Sequence, residues 1–142
     1  MTQELKVCEV DPELKALLKK FRFRKEQNNA AIVMRIEKST MLVCLDEELE
    51  DCDIDEVRES LPEHQPRYLV YSFKQEHSDG RISFPMCFVY VSPEGCQPEL
   101  SMMYAGSKTA LVVETGMTKV FELRTLEDLT DSWLVAKLQK LY

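Results

Sequence analysis

The side chains able to make or break bonds are few: five cysteines, Cys8, Cys44, Cys52, Cys87 and Cys96, and two histidines, His64 and His77. No pair of cysteines has the C-x-x-C spacing of a zinc or redox site, and an odd number does not close into a disulfide framework. The set reads as buried free thiols. Cys8 and Cys96 are the candidates for a nucleophile, but nothing near either in sequence promises a depressed thiol pKa. His64 lies between Pro62 and Pro66 and His77 in a polar turn, so both read as loop histidines. The chain contains no Gly-rich phosphate loop and no Gly-x-Ser-x-Gly elbow. The acidic run beginning at Asp46 lacks the spaced oxygen ligands and the glycine of a calcium loop, and reads as a solvated face. The expectation is a protein that is not an enzyme and carries no metal and no cofactor.

Charge says more than chemistry does. Lys15, Lys19, Lys20, Arg22, Arg24 and Lys25 fall within eleven residues, whereas Asp46 to Glu59 holds nine acids and one base, Arg58, within a net charge of −7. A sequence pI near 4.9, with no stacking aromatics on an otherwise basic surface, argues against nucleic acid as the ligand. A protein partner of matching charge pattern fits better. The amino terminus shows neither a basic start before an apolar core nor a small-residue cleavage site, and no apolar run is long enough to span a bilayer. These features predict a cytosolic chain without membrane association.

The elements that would position a site follow from periodicity. Asp11 and Pro12 open a helix whose stripe is Leu14, Leu17, Leu18 and Phe21. Two apolar runs, Ala30 to Ile36 and Met41 to Leu45, read as a hairpin joined at Glu37 to Thr40. A short acidic helix stops near Pro62. Two further strands, Arg67 to Lys74 and Arg81 to Val91, surround a loop with Asp79-Gly80, and Pro85 implies an edge position or bulge in the second. A long helix from Pro98 ends near Gly116, followed by the strand "MTKVFELR" and a last helix from about Glu127 to Leu138, with Trp133, Leu134 and Leu138 inward. With 142 residues, 44% of them hydrophobic, and no repeat or linker, the order predicts one α/β domain over residues 1–142, a central mixed β-sheet sandwiched by helices.

The long helix carries one apolar stripe too many. Leu100, Met103, Tyr104, Ser107 and Leu111 recur at helical spacing, as a core-facing row should. Met102, Ala105, Gly106, Thr109 and Val113 repeat that spacing on the opposite side, where a solvated helix carries charge.

Five collinear blocks, "FRFRKEQNNAAIVM", "LPEHQPRYLVYSF", "SDGRISFPMCFVYVSP", "PELSMMYAGSK" and "TKVFELR", resemble the glia maturation factor branch of the actin-depolymerising-factor homology family, and the opening "CEVDPEL" leans toward its gamma type. The resemblance runs through nearly the whole chain. It implies the cofilin-like fold and a non-enzymatic, monomeric regulator of branched actin in the cytoplasm, at the actin-rich cortex and in lamellipodia. The implied partner is the actin-related protein 2/3 complex, with inhibition of branch nucleation, promotion of debranching, and weak or no binding to conventional actin. Cofilin-like severing of conventional filaments is the alternative. The implied docking residues are Met102, Ala105, Gly106, Lys108 and Thr109 on the long helix. Further contacts are Arg22, Arg24 and Lys25 and the loop ends Lys74 and Arg81. Thr2 stands where relatives often carry a phosphorylatable serine. Severing relatives usually carry lysines just before the Met-Met-Tyr segment, and this chain has Glu99, Leu100 and Ser101 there.

Overall fold

The computed structural model describes residues 8–140. Helix α1 (Pro12–Arg22) starts at Asp11, whose carboxylate accepts from the Glu13 amide, with Pro12 in the first turn where its missing N–H costs nothing. Strands β2 (Ala30–Glu37) and β3 (Leu42–Glu50) form the expected hairpin. Helix α2 (Ile54–Ser60) is capped by Asp53. Strands β4 (Arg67–Ser72) and β7 (Met86–Val91) lie at the centre of the sheet. Helix α3 (Pro98–Thr115) crosses to β8 (Lys119–Leu123), and a 3-10 turn at Leu126–Asp128 leads into α4 (Asp131–Gln139).

A two-residue strand, β1 (Glu9–Val10), pairs parallel to β3 and completes a six-stranded sheet of order β1-β3-β2-β4-β7-β8. The β7–β8 pair is also parallel and the other pairs are antiparallel. Within β2, β4 and β7 alternate residues serve two cores. Ile32, Met34, Tyr68, Val70, Phe88 and Tyr90 pack against α1 and α3. Val33, Leu69, Tyr71, Cys87 and Val89 pack against α2 and α4. Burial on both faces explains why these strands read as unbroken apolar runs.

Three details depart from the sequence reading. Strand β3 continues past Leu45 to Glu50, and β1 covers it only at Leu42 and Val43. Its acidic half is therefore a sheet edge, where charge deters pairing with another chain. A bulge opposite Val33 and Met34 leaves Asp46 as the extra residue, and its carboxylate accepts from Arg67 Nε at 3.0 Å. The segment from Arg81 to Val91 is two strands. Pro85 ends the first, β6 (Ile82–Ser83), which pairs with β5 (Gln75–Glu76) as a separate small hairpin, while β7 itself is central. Proline thus interrupts the segment instead of marking an edge strand, and its carbonyl accepts from the Phe73 amide at 3.0 Å.

Candidate functional site

Helix α3 is apolar on both sides, and its rotation is fixed by hydrogen bonds. The Tyr104 hydroxyl accepts from the buried Ile36 amide of β2 at 2.8 Å, and the Tyr68 hydroxyl donates to the Tyr104 carbonyl. One turn on, Ser107 Oγ accepts from the Cys8 amide at 2.9 Å. Tyr104, Ser107, Leu111 and Thr115 are the buried residues of the helix, a row at helical spacing. The rings of Tyr68 and Tyr104 lie 5.1 Å apart, and burial pushes the Tyr104 phenol above its ordinary pKa. Gly116 closes the helix in the left-handed conformation at φ 68°, which glycine adopts without the Cβ penalty.

With that row inward, the second stripe faces out. Met102 is 59% and Val113 76% exposed, Ala105 and Thr109 are exposed, and Gly106 is half-buried. Lys108 flanks this face, half-buried, with its ammonium 5.8 Å from the centre of the Tyr90 ring. At the start of the helix Glu99 is exposed and Ser101 half-buried, and no base stands in the first turn. The face is a rigid strip of small and apolar side chains, suited to docking into a partner's cleft.

The other named residues lie apart from it. Arg22 and Lys25 are exposed, but Arg24 is not a free surface cation, because its side chain is only 6% exposed. Its guanidinium donates to Asn28 O and Oδ1 at 3.0 and 2.7 Å and pairs with Glu50 at 3.1 Å. It ties the end of α1 to the acidic edge of β3. Lys74 is exposed, and its amide donates to Asn29 Oδ1 at 2.6 Å. Arg81 is exposed and pairs with Asp79 across the hairpin turn at 2.7 Å. Thr2 lies outside the described residues. Sequence reasoning missed Phe23 and Ile82, exposed at 67% and 52%. Each carries the signal of a large apolar side chain flanked by basic or polar residues at an element's end.

The cysteine thiols whose pKa is shifted move away from reactivity. Burial pushes the Cys52 thiol up to about 11 and the Cys87 thiol up to about 12, and desolvation also raises Cys44 and Cys96. Among the described residues no group of three or more His, Cys, Asp or Glu side chains could hold a metal ion, and no helix is long and apolar enough to cross a membrane.

The six-stranded sheet between two pairs of helices, with the long helix before the last strand, is the fold of a known class. The family model of cofilin/tropomyosin-type actin-binding proteins matches residues 7–139, so the chain is an actin-depolymerising-factor homology domain. A cofilin from Streptomyces griseoflavus shares the fold at a TM-score of 0.82 and 19% identity, over 94% of this chain and 98% of that one. Human glia maturation factor beta is 57% identical over 138 residues, 97% of each chain. The glia maturation factor of Drosophila melanogaster is 47% identical, over 94% of this chain and 96% of its own. The solution structure of glia maturation factor from Caenorhabditis elegans superposes at a TM-score of 0.81 with 39% identity, covering 96% and 99% of the two chains. The chain belongs to the glia maturation factor branch of the family, whose members are non-enzymatic regulators of actin.

Proposed function

We propose that this chain binds the actin-related protein 2/3 complex through the outer face of α3, inhibits branch nucleation and promotes dissociation of existing branches. The observation that carries the reading is the pairing of an apolar face, Met102 to Val113, with a first turn that presents Glu99 and no base. An apolar strip of small residues supports insertion into the cleft of an actin fold. A carboxylate where severing relatives usually carry lysine disfavours the acidic groups of conventional actin, which turns specificity toward a different actin-like subunit. Met102, Ala105, Gly106 and Thr109 make the contact, with Lys108 at its flank. Arg22, Lys25, Lys74 and Arg81 are further contacts, and Arg24 holds its neighbours in place.

The mechanism is differential affinity. A domain that binds the complex more tightly once the daughter filament has shifted or left draws the population toward the debranched state. No covalent step is needed, and the domain acts as a monomer in the cytoplasm, at the actin-rich cortex and in lamellipodia. A pull-down comparing the purified actin-related protein 2/3 complex with monomeric actin tests the reading: retention of the complex and not of actin is expected. Pelleting with bare filaments at least as efficient as binding to the complex would favour the cofilin-like alternative.

A further inference from the structure

A concave surface lies where the end of α1 meets the end of α3, away from the first turns of α3. It is a groove of about 420 Å³ whose lining includes Lys15, Lys19, Arg22, Phe23 and Glu114. We propose that this groove is a docking site for an acidic peptide segment of a partner protein, carrying one large apolar anchor side chain. The inference goes beyond the α3-face reading and does not rest on it, since it requires no actin-like partner.

Three observations carry it. The first is charge: three of the lining residues are cations and one, Glu114, is an acid. Glu114 is held loosely by Lys15 at 3.9 Å, with both side chains well exposed, so the pair offers little resistance to exchange of partners. Lys19 and Arg22 make no salt bridge among the described residues. Lys20 and Lys25, both exposed, lie in the same segment of the chain, and Lys25 lines a neighbouring concavity together with Arg22. These cations stand on a molecule of net charge −7; an acidic segment is therefore repelled by most of the surface and drawn to this part of it.

The second observation is the aromatic. Phe23 is 67% exposed at the end of α1, with the Arg22 guanidinium 5.7 Å from its ring centre. Exposure of this ring beside unpaired cations is the arrangement that recognises a segment with acids around an apolar side chain, in which the anchor supplies burial and the acids supply orientation.

The third is structural economy. Helix α3 has no basic residue in its last turn, and the Arg22 guanidinium of α1 lies over its cap, 2.5 Å from where a Cβ on Gly116 would sit. Arg22 thus complements the carbonyl end of α3. Lys19 and Phe23 have no such duty, and they are the residues to perturb. The concavity favours a peptide over a membrane surface, which would meet a flat or convex face and the repulsion of the whole acidic molecule.

The test uses the full chain and a fluorescein-labelled peptide of six glutamates around one central tryptophan, followed by anisotropy. Saturable binding is expected, weakened by about tenfold or more by Phe23→Ser, by Lys19→Glu, and by replacing the peptide's tryptophan with serine, with the two variants keeping the wild-type circular dichroism melt. Equal binding of the serine peptide, or indifference to Phe23→Ser, would reduce the effect to unspecific charge attraction and overturn the proposal. So would absence of peptide binding. In that case, co-sedimentation with phosphatidylserine vesicles sensitive to Lys19→Glu would assign the groove to a membrane. Concentration-dependent self-association lost in Lys19→Glu would instead assign it to a second copy of this chain.

Discussion

Met102→Asp should separate docking from folding. Met102 is 59% exposed, so about two-fifths of the side chain is covered in the free domain. Full burial of a methionine contributes about 1.5–3 kcal/mol, and the share at risk is about 1 kcal/mol. The poorer helix propensity of aspartate adds a few tenths of a kcal/mol. A total of about 1–2 kcal/mol shifts the melting temperature of a chain this size by less than about 8 °C. Docked into an apolar cleft, the same side chain loses its anchor contacts and strands a carboxylate. A loss of about 2–4 kcal/mol weakens binding by about 30- to 1,000-fold. The assay is a thermal melt beside a binding titration against the purified actin-related protein 2/3 complex, with Met102→Leu as the variant that keeps both properties. Leu111→Asp supplies the opposite case: Leu111 is 1% exposed, and this substitution should abolish the fold itself. Unaltered binding by folded Met102→Asp would remove the outer face of α3 from the interface, and an unfolded Met102→Asp would refute the rotation of the helix.

Four further outcomes are expected. Glu99→Lys with Ser101→Lys should raise co-sedimentation with conventional actin filaments, by restoring charge on a complementary shape; unchanged pelleting of the folded double variant would place the discrimination elsewhere. Tyr104→Phe leaves the buried Ile36 amide without its acceptor and should cost about 1–3 kcal/mol, with faster hydrogen exchange at Ile36; an unchanged melt and exchange rate would refute the anchoring role. The thiols of Cys52 and Cys87 are raised by burial to about 11 and about 12, so the unfolded chain releases these protons first, and stability should fall as pH climbs from their ordinary value of about 9 toward those values; a melt flat across that alkaline range would contradict it. Lys74→Ala with Arg81→Ala should leave the melt nearly unchanged, because the Arg81–Asp79 pair is exposed, yet slow branch dissociation seen by microscopy more than it weakens equilibrium binding; equal losses would leave α3 as the whole mechanism.

Most of this architecture is legible in the sequence because its signals are strong and local. Asp11-Pro12 and Gly116 mark helix ends by backbone chemistry that holds in any context. The apolar runs of β2, β4 and β7 announce strands buried on both faces. Signals fail where a tertiary partner decides. Glu9–Val10 is too short to carry a period and becomes a strand only beside Leu42 and Val43. The acids of β3 hide a strand that only its edge position tolerates. Arg24 resembles Arg22 in sequence, yet Asn28 and Glu50 draw its guanidinium into the fold, and neither residue advertises that in advance. The two stripes of α3 are legible, and the row read as core-facing is the one whose Tyr104, Ser107 and Leu111 are buried, although the two rows differ so little in apolar content that hydrophobicity alone leaves the choice ambiguous.

That ambiguity shows what the buried polar groups of α3 are for. A helix whose two faces are nearly equally apolar gains little from one rotation over the other through burial alone. The inner row is distinguished by the groups that need partners on other elements and find them: Tyr104 with the Ile36 amide and Ser107 with the Cys8 amide. Turning Met102 inward would carry the tyrosine away from Ile36 and leave two buried backbone amides unsatisfied. Each orphaned donor costs about 1–3 kcal/mol, and the loss falls on the wrong rotation only. Hydrogen bonds that add little net stability therefore select the packing. The outer face is thereby free to stay apolar for a partner without becoming an alternative core, a combination that a purely hydrophobic helix could not maintain.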